Sequence, residues 1–539
     1  MTSSSKRGAL LVACAVLLVC RAVGGQTLEQ VWTHNFPKPL SWYVRTSAGI
    51  LIVRSGKELA AIDGATGSLL WSLPTVDIST FLSGPEEYER AFNVLEVPLT
   101  GVLLLNRAVL PGESKGRLIA LNLLTGEKLW DQPQVDVLMT AVPLYGSRDV
   151  VVVSTRLQKK VMAAEIAASA ASRIPITIPP FRYEFERLDL ATGKVEWTYE
   201  YPHIFIPGSV AVQAVGNHLF LYYNNRLLGC IDLETGKQLW EDSSKLISGQ
   251  ALPLPLSIAD GKLIYSSSDV KDVDPSNGKP AWTIAKLGKA TGLSLEQNLF
   301  VALGGHNIVA VDAATGAERW RRRTYGHTTN LLWNQASDSL VFVDGKGLHS
   351  VDRTTGKPRL DARLIGLKHE GIEYPNFISL ASPDVVVMIA TDRLSAYSLK
   401  TGAKLFAEGK LVGFYPSVAY LDHWPIPIDG EDLVHTVPAP SSEAQWDIVR
   451  KSSLLPASIL HRVEANLSDS QGFGDAYETE LETGERRVWW IDPQTGSRQA
   501  IGVADEHHDV STPLGMIFAV DGSRIWGAKI VPTGSSASQ

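Results

Sequence analysis

Apolar and polar positions along this chain fall into one repeated phrase. An apolar run reaches an acidic residue, a Thr-Gly turn follows, and a short strand closes on Trp. Asn307-Ile308-Val309-Ala310-Val311-Asp312-Ala313-Ala314-Thr315-Gly316-Ala317-Glu318-Arg319-Trp320 is its fullest instance. Gly supplies the left-handed backbone a tight hairpin needs, and Asp can accept hydrogen bonds from the turn's own amides. The phrase therefore predicts a β-hairpin.

Eight further hairpins share the register. Asp63, Thr66-Gly67 and Trp71 form the first, and Asn122, Thr125-Gly126 and Trp130 the second. Asp189, Thr192-Gly193 and Trp197 follow, then Asp232, Thr235-Gly236 and Trp240. Asp274, Asn277-Gly278 and Trp282 keep the frame with Asn for Thr. After the fullest instance come Asp352, Thr355-Gly356 and Leu360, then Ser398, Thr401-Gly402 and Phe406. The ninth is Asp492, Thr495-Gly496 and Ala500. Trp32 resembles the closing Trp of a hairpin whose first half is missing.

The turn glycines recur at a period near 40 residues, enough for four short strands and their turns. The runs before each Asp are almost continuously apolar, as in strands covered on both faces. A Trp at one place on each outer strand can fill the wedge between neighbouring sheets. The expected fold is all-β, a single β-propeller of four-stranded blades over 26–539. Eight blades are expected, with a strand around Trp32 completing the last blade and one C-terminal hairpin as an embellishment. Three stretches break the period: about 84–115 in the second blade, 157–181 in the third, and 409–477. In the second of these, 158–168 favours helix through its Ala content and 174–180 must be extended. In the third, Trp446 follows Phe406 by 40 residues and reads as the mark of a degenerate blade.

The repeat A-x-D-x-x-T-G-x-x-x-W resembles that of pyrroloquinoline-quinone-type propellers. That superfamily holds both quinoprotein alcohol dehydrogenases and BamB-like scaffold proteins. The resemblance implies the propeller, and it leaves the function open because the motif residues build blades in enzymes and scaffolds alike.

Composition narrows the function. Net charge is −7, and losing Lys6, Arg7 and Arg21 with a leader takes it to −10. No nucleic-acid partner is expected, since that requires a concentrated basic face. The one basic run, Arg319 with Arg321-Arg322-Arg323, brackets Trp320 on an outer strand, where charge blocks edge-to-edge pairing. Lys6 and Arg7, the apolar run Gly8–Cys20 and Ala22-Val23-Gly24 read as a signal peptide over 1–25, with a mature start near Gly25 or Gln26. The expectation is an exported protein, periplasmic or extracellular, without a transmembrane span. Lipid attachment at Cys14, in Leu11-Val12-Ala13-Cys14, is the less favoured reading. Cys230 would be the mature chain's single cysteine and reads as a small buried hydrophobe.

Candidate chemistry is sparse. The sequence carries no C-x-x-C pair, H-E-x-x-H, P-loop or G-x-S-x-G. Asp505-Glu506-His507-His508-Asp509 is the densest polar cluster, and an exposed loop is preferred to a metal site there. His423-Trp424 and Lys368-His369-Glu370 are isolated. No catalytic or metal-ligating residue is assigned, and cofactor-binding residues stay open. The expectation is a monomeric, non-catalytic scaffold for a protein partner in the cell envelope, with no cofactor. The alternative is an alcohol or sugar dehydrogenase using pyrroloquinoline quinone and calcium, its calcium held by Asp, Asn and Glu from separate blades.

Overall fold

The computed structural model describes residues 26–532 except 75–93, 108–115, 158–180, 202–209, 242–255, 364–376, 416–422, 427–434, 439–442, 470–474, 481–485, 492–497, 504–515 and interruptions of three residues or fewer. The leader, Cys14 and the Asp505–Asp509 cluster lie outside the described residues, as do 158–168, 174–180 and Lys368–Glu370.

Each repeat phrase is the third and fourth strand of an antiparallel four-stranded sheet. In the first sheet Leu40–Arg45, Ile50–Ser55, Glu58–Asp63 and Leu69–Pro74 pair in chain order. The same order builds sheets over 94–134, 137–200, 210–241, 256–284, 290–323, 332–363 and 377–409. The ninth sheet combines Leu411–Tyr415 with Asp475–Glu480, Arg486–Ile491 and Arg498–Val503. In the tenth, Gln26–Asn35 pairs with Arg524–Pro532, which pairs with Met516–Asp521.

The N-terminal strand thus joins the C-terminal sheet, as the position of Trp32 suggested. The sheet count departs from the expected eight: the described residues form nine four-stranded sheets, one three-stranded sheet and a two-stranded one that pairs His423–Ile426 with His435–Pro438. The ninth hairpin is not an embellishment. It completes a sheet whose first strand is separated from the rest by 416–474, and that insertion hides the period. Likewise 84–115 contains Val94–Val97 and Val102–Arg107, the first two strands of the second sheet.

First strands face inward. Those of the second and third, third and fourth, fifth and sixth, and seventh and eighth sheets lie side by side. Between sheets run apolar layers: Leu95, Leu104 and Ala120 of the second meet Val150 and Val152 of the third, for example. Trp32, Phe518 and Ile525 of the tenth sheet join Tyr43, Leu51 and Val53 of the first, which closes N-terminus on C-terminus.

Where a hairpin closes on Trp, that residue locks the joint to the neighbouring sheet by hydrogen bonding as well as area. Trp71 donates its indole N–H to the Leu123 carbonyl oxygen at 2.8 Å, and Trp130 to that of Leu190 at 2.8 Å. Trp197 donates to Leu233, Trp240 to Pro275, Trp282 to Ala313, Trp320 to Arg353 and Trp32 to Gly64. Every acceptor directly follows the turn's Asp or Asn in the neighbouring sheet. The ring then lies on that turn's glycine.

Candidate interaction faces

Strand alternation gives the sheets two distinct ends. One carries the turns between first and second and between third and fourth strands, including every Thr-Gly turn. The other carries the turns between second and third strands and the links from sheet to sheet.

At the first end the motif carboxylates serve their own turns. Asp312 Oδ1 accepts from the amides of Ala314 and Thr315 and from the Thr315 hydroxyl, at 3.0–3.1 Å. Arg319 donates to its other oxygen at 2.8 Å, and Arg319 with Thr315 holds the carboxyl below its ordinary range. The next sheet repeats the device: Arg359, helped by Thr355, takes Asp352 down to about 2. Acids tied up in this way are acceptors already used, and they offer little to a substrate.

The same end carries the chief addition to the sheets. Two helices, α1 (Glu443–Ser452) and α2 (Ala457–Asp469), rise from the insertion in the ninth sheet. Trp446, Val449, Leu455, Leu460 and Val463 are buried against Trp42, Ile50, Leu59, Leu99 and Leu103 of the first two sheets. The Leu454 amide donates to the Thr100 carbonyl oxygen at 2.8 Å, and Arg462 reaches the Ala48 carbonyl oxygen at 3.4 Å and Asp63 at 3.9 Å. Arg450, held by Asp447 of its own helix at 2.9 Å, joins the two helices through Glu464 at 3.0 Å. Trp446 is therefore a helix-core residue, not the mark of a degenerate blade. Its helical spacing to Val449, like that of Leu460 to Val463, was the missed signal. From the same insertion, the strand His435–Pro438 runs beside the innermost strands Val137–Pro143 and Val210–Val215.

Beneath the helices, Glu96 ties the second sheet to the first. Its carboxylate accepts from the Ser47 amide and hydroxyl, both at 2.6 Å. Burial pushes this carboxyl up to about 7 against those hydrogen bonds.

At the opposite end sits a polar group that no sequence spacing announces. His349 is buried; its Nε2 faces Asp344 at 2.8 Å and its Nδ1 faces Asp361 at 2.6 Å. Each ring nitrogen thus meets a carboxylate oxygen, and the two contacts fix the plane of the ring. The ring stacks on Phe342, and Arg322 donates to Asp361 at 2.6 Å. Burial pushes Asp344 up, yet the His349 and Lys346 hydrogen bonds outweigh it and hold the carboxyl low. Three strands supply His349, Asp344 and Asp361, which is why the linear sequence hides them.

The sequence candidates now have places. Cys230 is buried in a third strand, and burial with Asp232 pushes its thiol up to about 12, the state of an inert packing residue. Arg319, Arg321 and Arg322 lie on the outer strand Glu318–Arg323 and pair with Asp312, Glu318 and Asp361. His423-Trp424 lies in the short strand His423–Ile426. A quinone dehydrogenase needs carboxylate and amide oxygens converging on calcium. Among the described residues no three His, Cys, Asp or Glu converge in that way, since these acids serve turns, arginines and His349. No described helix is long and apolar enough to cross a membrane.

With the geometry in place, comparison adds the family. A family model described as outer membrane protein assembly factor BamB matches residues 19–283 and 266–405. No curated protein matches the chain. Among solved structures, BamB from Moraxella catarrhalis is similar at 14% identity and TM-score 0.31, covering 72% of this chain and 94% of that one. The C-terminal WD40 domain of Sif2 is similar at 10% identity and TM-score 0.32, covering 68% and 96%. A computationally designed protein, Ika8, is similar at 13% identity and TM-score 0.32, covering 68% and 97%.

Proposed function

This chain belongs to the propeller family described as outer membrane protein assembly factor BamB, and from that membership we propose that it is a non-catalytic protein-interaction scaffold. One observation supports the reading above the others. The motif side chains are consumed inside the blades, Asp on its own turn and Trp on the neighbouring turn's carbonyl and glycine. What they leave is a rigid ring with decorated ends, the form in which a scaffold presents loops to a partner. The basic, apolar and small-residue succession over 1–25 supports work outside the cytoplasm, in the envelope or beyond it.

The test is capture. Tagged full chain, cross-linked in envelope extract, should recover a defined protein that co-elutes with it in gel filtration at fixed stoichiometry. Recovery of the chain alone across repeated extracts contradicts the scaffold role.

A further inference from the structure

The end of the ring opposite the helices carries an exposed aromatic with two exposed cations set against it. Tyr325, in the link between the sixth and seventh sheets, is 42% exposed. Lys346 Nζ lies 3.2 Å from its ring centroid, and the Arg323 guanidinium lies 6.0 Å from it. Both cations are exposed. Arg319, Arg321 and Arg322 on the same strand are matched to acids, whereas among the described residues Arg323 and Lys346 pair with none.

The backbone beneath the ring is fixed from several sides. The Tyr325 amide donates to Asp344 at 3.1 Å, its carbonyl oxygen accepts from the Gly345 amide at 2.5 Å, and the Thr324 amide donates to the His306 carbonyl oxygen at 2.8 Å. Asp344 is itself held by His349. A pre-positioned aromatic flanked by exposed cations costs little further ordering when a partner covers it.

We propose that Tyr325, Arg323 and Lys346 form the docking surface for an acidic segment of a partner protein. Carboxylates of that segment pair with the two cations, and the Tyr325 hydroxyl donates to a third acceptor. Charge complementarity selects this occupant: on a chain that is acidic overall at −7, two exposed cations that pair with no acid among the described residues favour an acidic segment. An extended polyanion such as nucleic acid requires a longer basic track than two side chains supply. The assignment rests on the scaffold reading and gives it a location.

Fluorescence anisotropy of labelled octaglutamate with the full chain at low ionic strength tests it. The parent should bind, and Arg323→Gln/Lys346→Gln should weaken binding by about five- to tenfold, as expected for two exposed charge pairs. Lys357→Gln, at the opposite end, should bind as the parent does. An unchanged urea midpoint in the double variant shows that the fold is intact. Absence of binding, or equal binding by the double variant, overturns the assignment. So does oligothymidylate binding that matches octaglutamate and is lost in the same variant, because the surface then takes nucleic acid. Partner capture from extract is read separately and can succeed where the peptide fails.

Discussion

The ring of Trp320 occupies the space that a Cβ at Gly356 would need. An ideal Cβ there stands 2.7 Å from the indole, and Gly356 has φ of +67°. The same indole donates to the Arg353 carbonyl oxygen at 2.9 Å, so one Trp reads both the turn's shape and its backbone. The relationship recurs at Gly67, Gly126, Gly193, Gly236, Gly278 and Gly316, each against the Trp of the preceding sheet.

Gly356→Ala should therefore carry two penalties. Left-handed backbone and a displaced indole together should cost about 2–4 kcal/mol. Gly522→Ala shares the positive φ, +60°, but meets nothing within 4 Å, so it should cost only about 1–2 kcal/mol. Urea denaturation of both variants measures the difference. Equal losses would show that the indole does not need the space.

The Glu96 carboxyl should make stability fall with rising pH. Its ordinary value is 4.5 and its folded value about 7, so between them the folded chain keeps a proton that the unfolded chain has released. The contribution is complete below about 4.5 and is lost as pH rises through about 7. Glu96→Gln should flatten this part of the profile, read as urea midpoints from pH 4 to 8. Nearby Arg45 favours the carboxylate and only moderates the trend. A variant whose profile parallels the parent's throughout contradicts the assignment.

The helices should behave as part of the fold. Leu455 is buried against the first two sheets and lies 3.2 Å from where a Gly101 Cβ would stand. Leu455→Ala should cost about 2–4 kcal/mol through lost burial and a residual cavity. Amides of α1 and α2 should also exchange hydrogen faster in that variant. A loss under about 0.5 kcal/mol, typical of surface sites, would mean that α1 and α2 are not docked.

The hairpins were legible because Asp, Thr, Gly and Trp each do a local job that other residues do poorly. The order of sheets followed from their spacing. The indole acceptors were not legible, since a backbone carbonyl leaves no trace in residue type. Nor was the number of sheets: the first two strands of each carry no repeated motif, and in the ninth sheet Ala500 stands in the Trp position. Trp446 misled because its 40-residue offset from Phe406 matched the repeat, while Val449 three residues on already indicated a helix. The His349, Asp344 and Asp361 group needs three strands in register before it exists. Its Phe342 neighbour and its link to Tyr325 come only from the fold.

Calorimetric titration of the full chain with pyrroloquinoline quinone in the presence of calcium, followed by dye-reduction assay with alcohols and sugars, tests the non-catalytic claim most directly. A scaffold whose blade acids are already committed should give no saturable binding heat and no dye reduction. Stoichiometric quinone binding with substrate-dependent reduction of the dye would contradict it and make the chain a dehydrogenase.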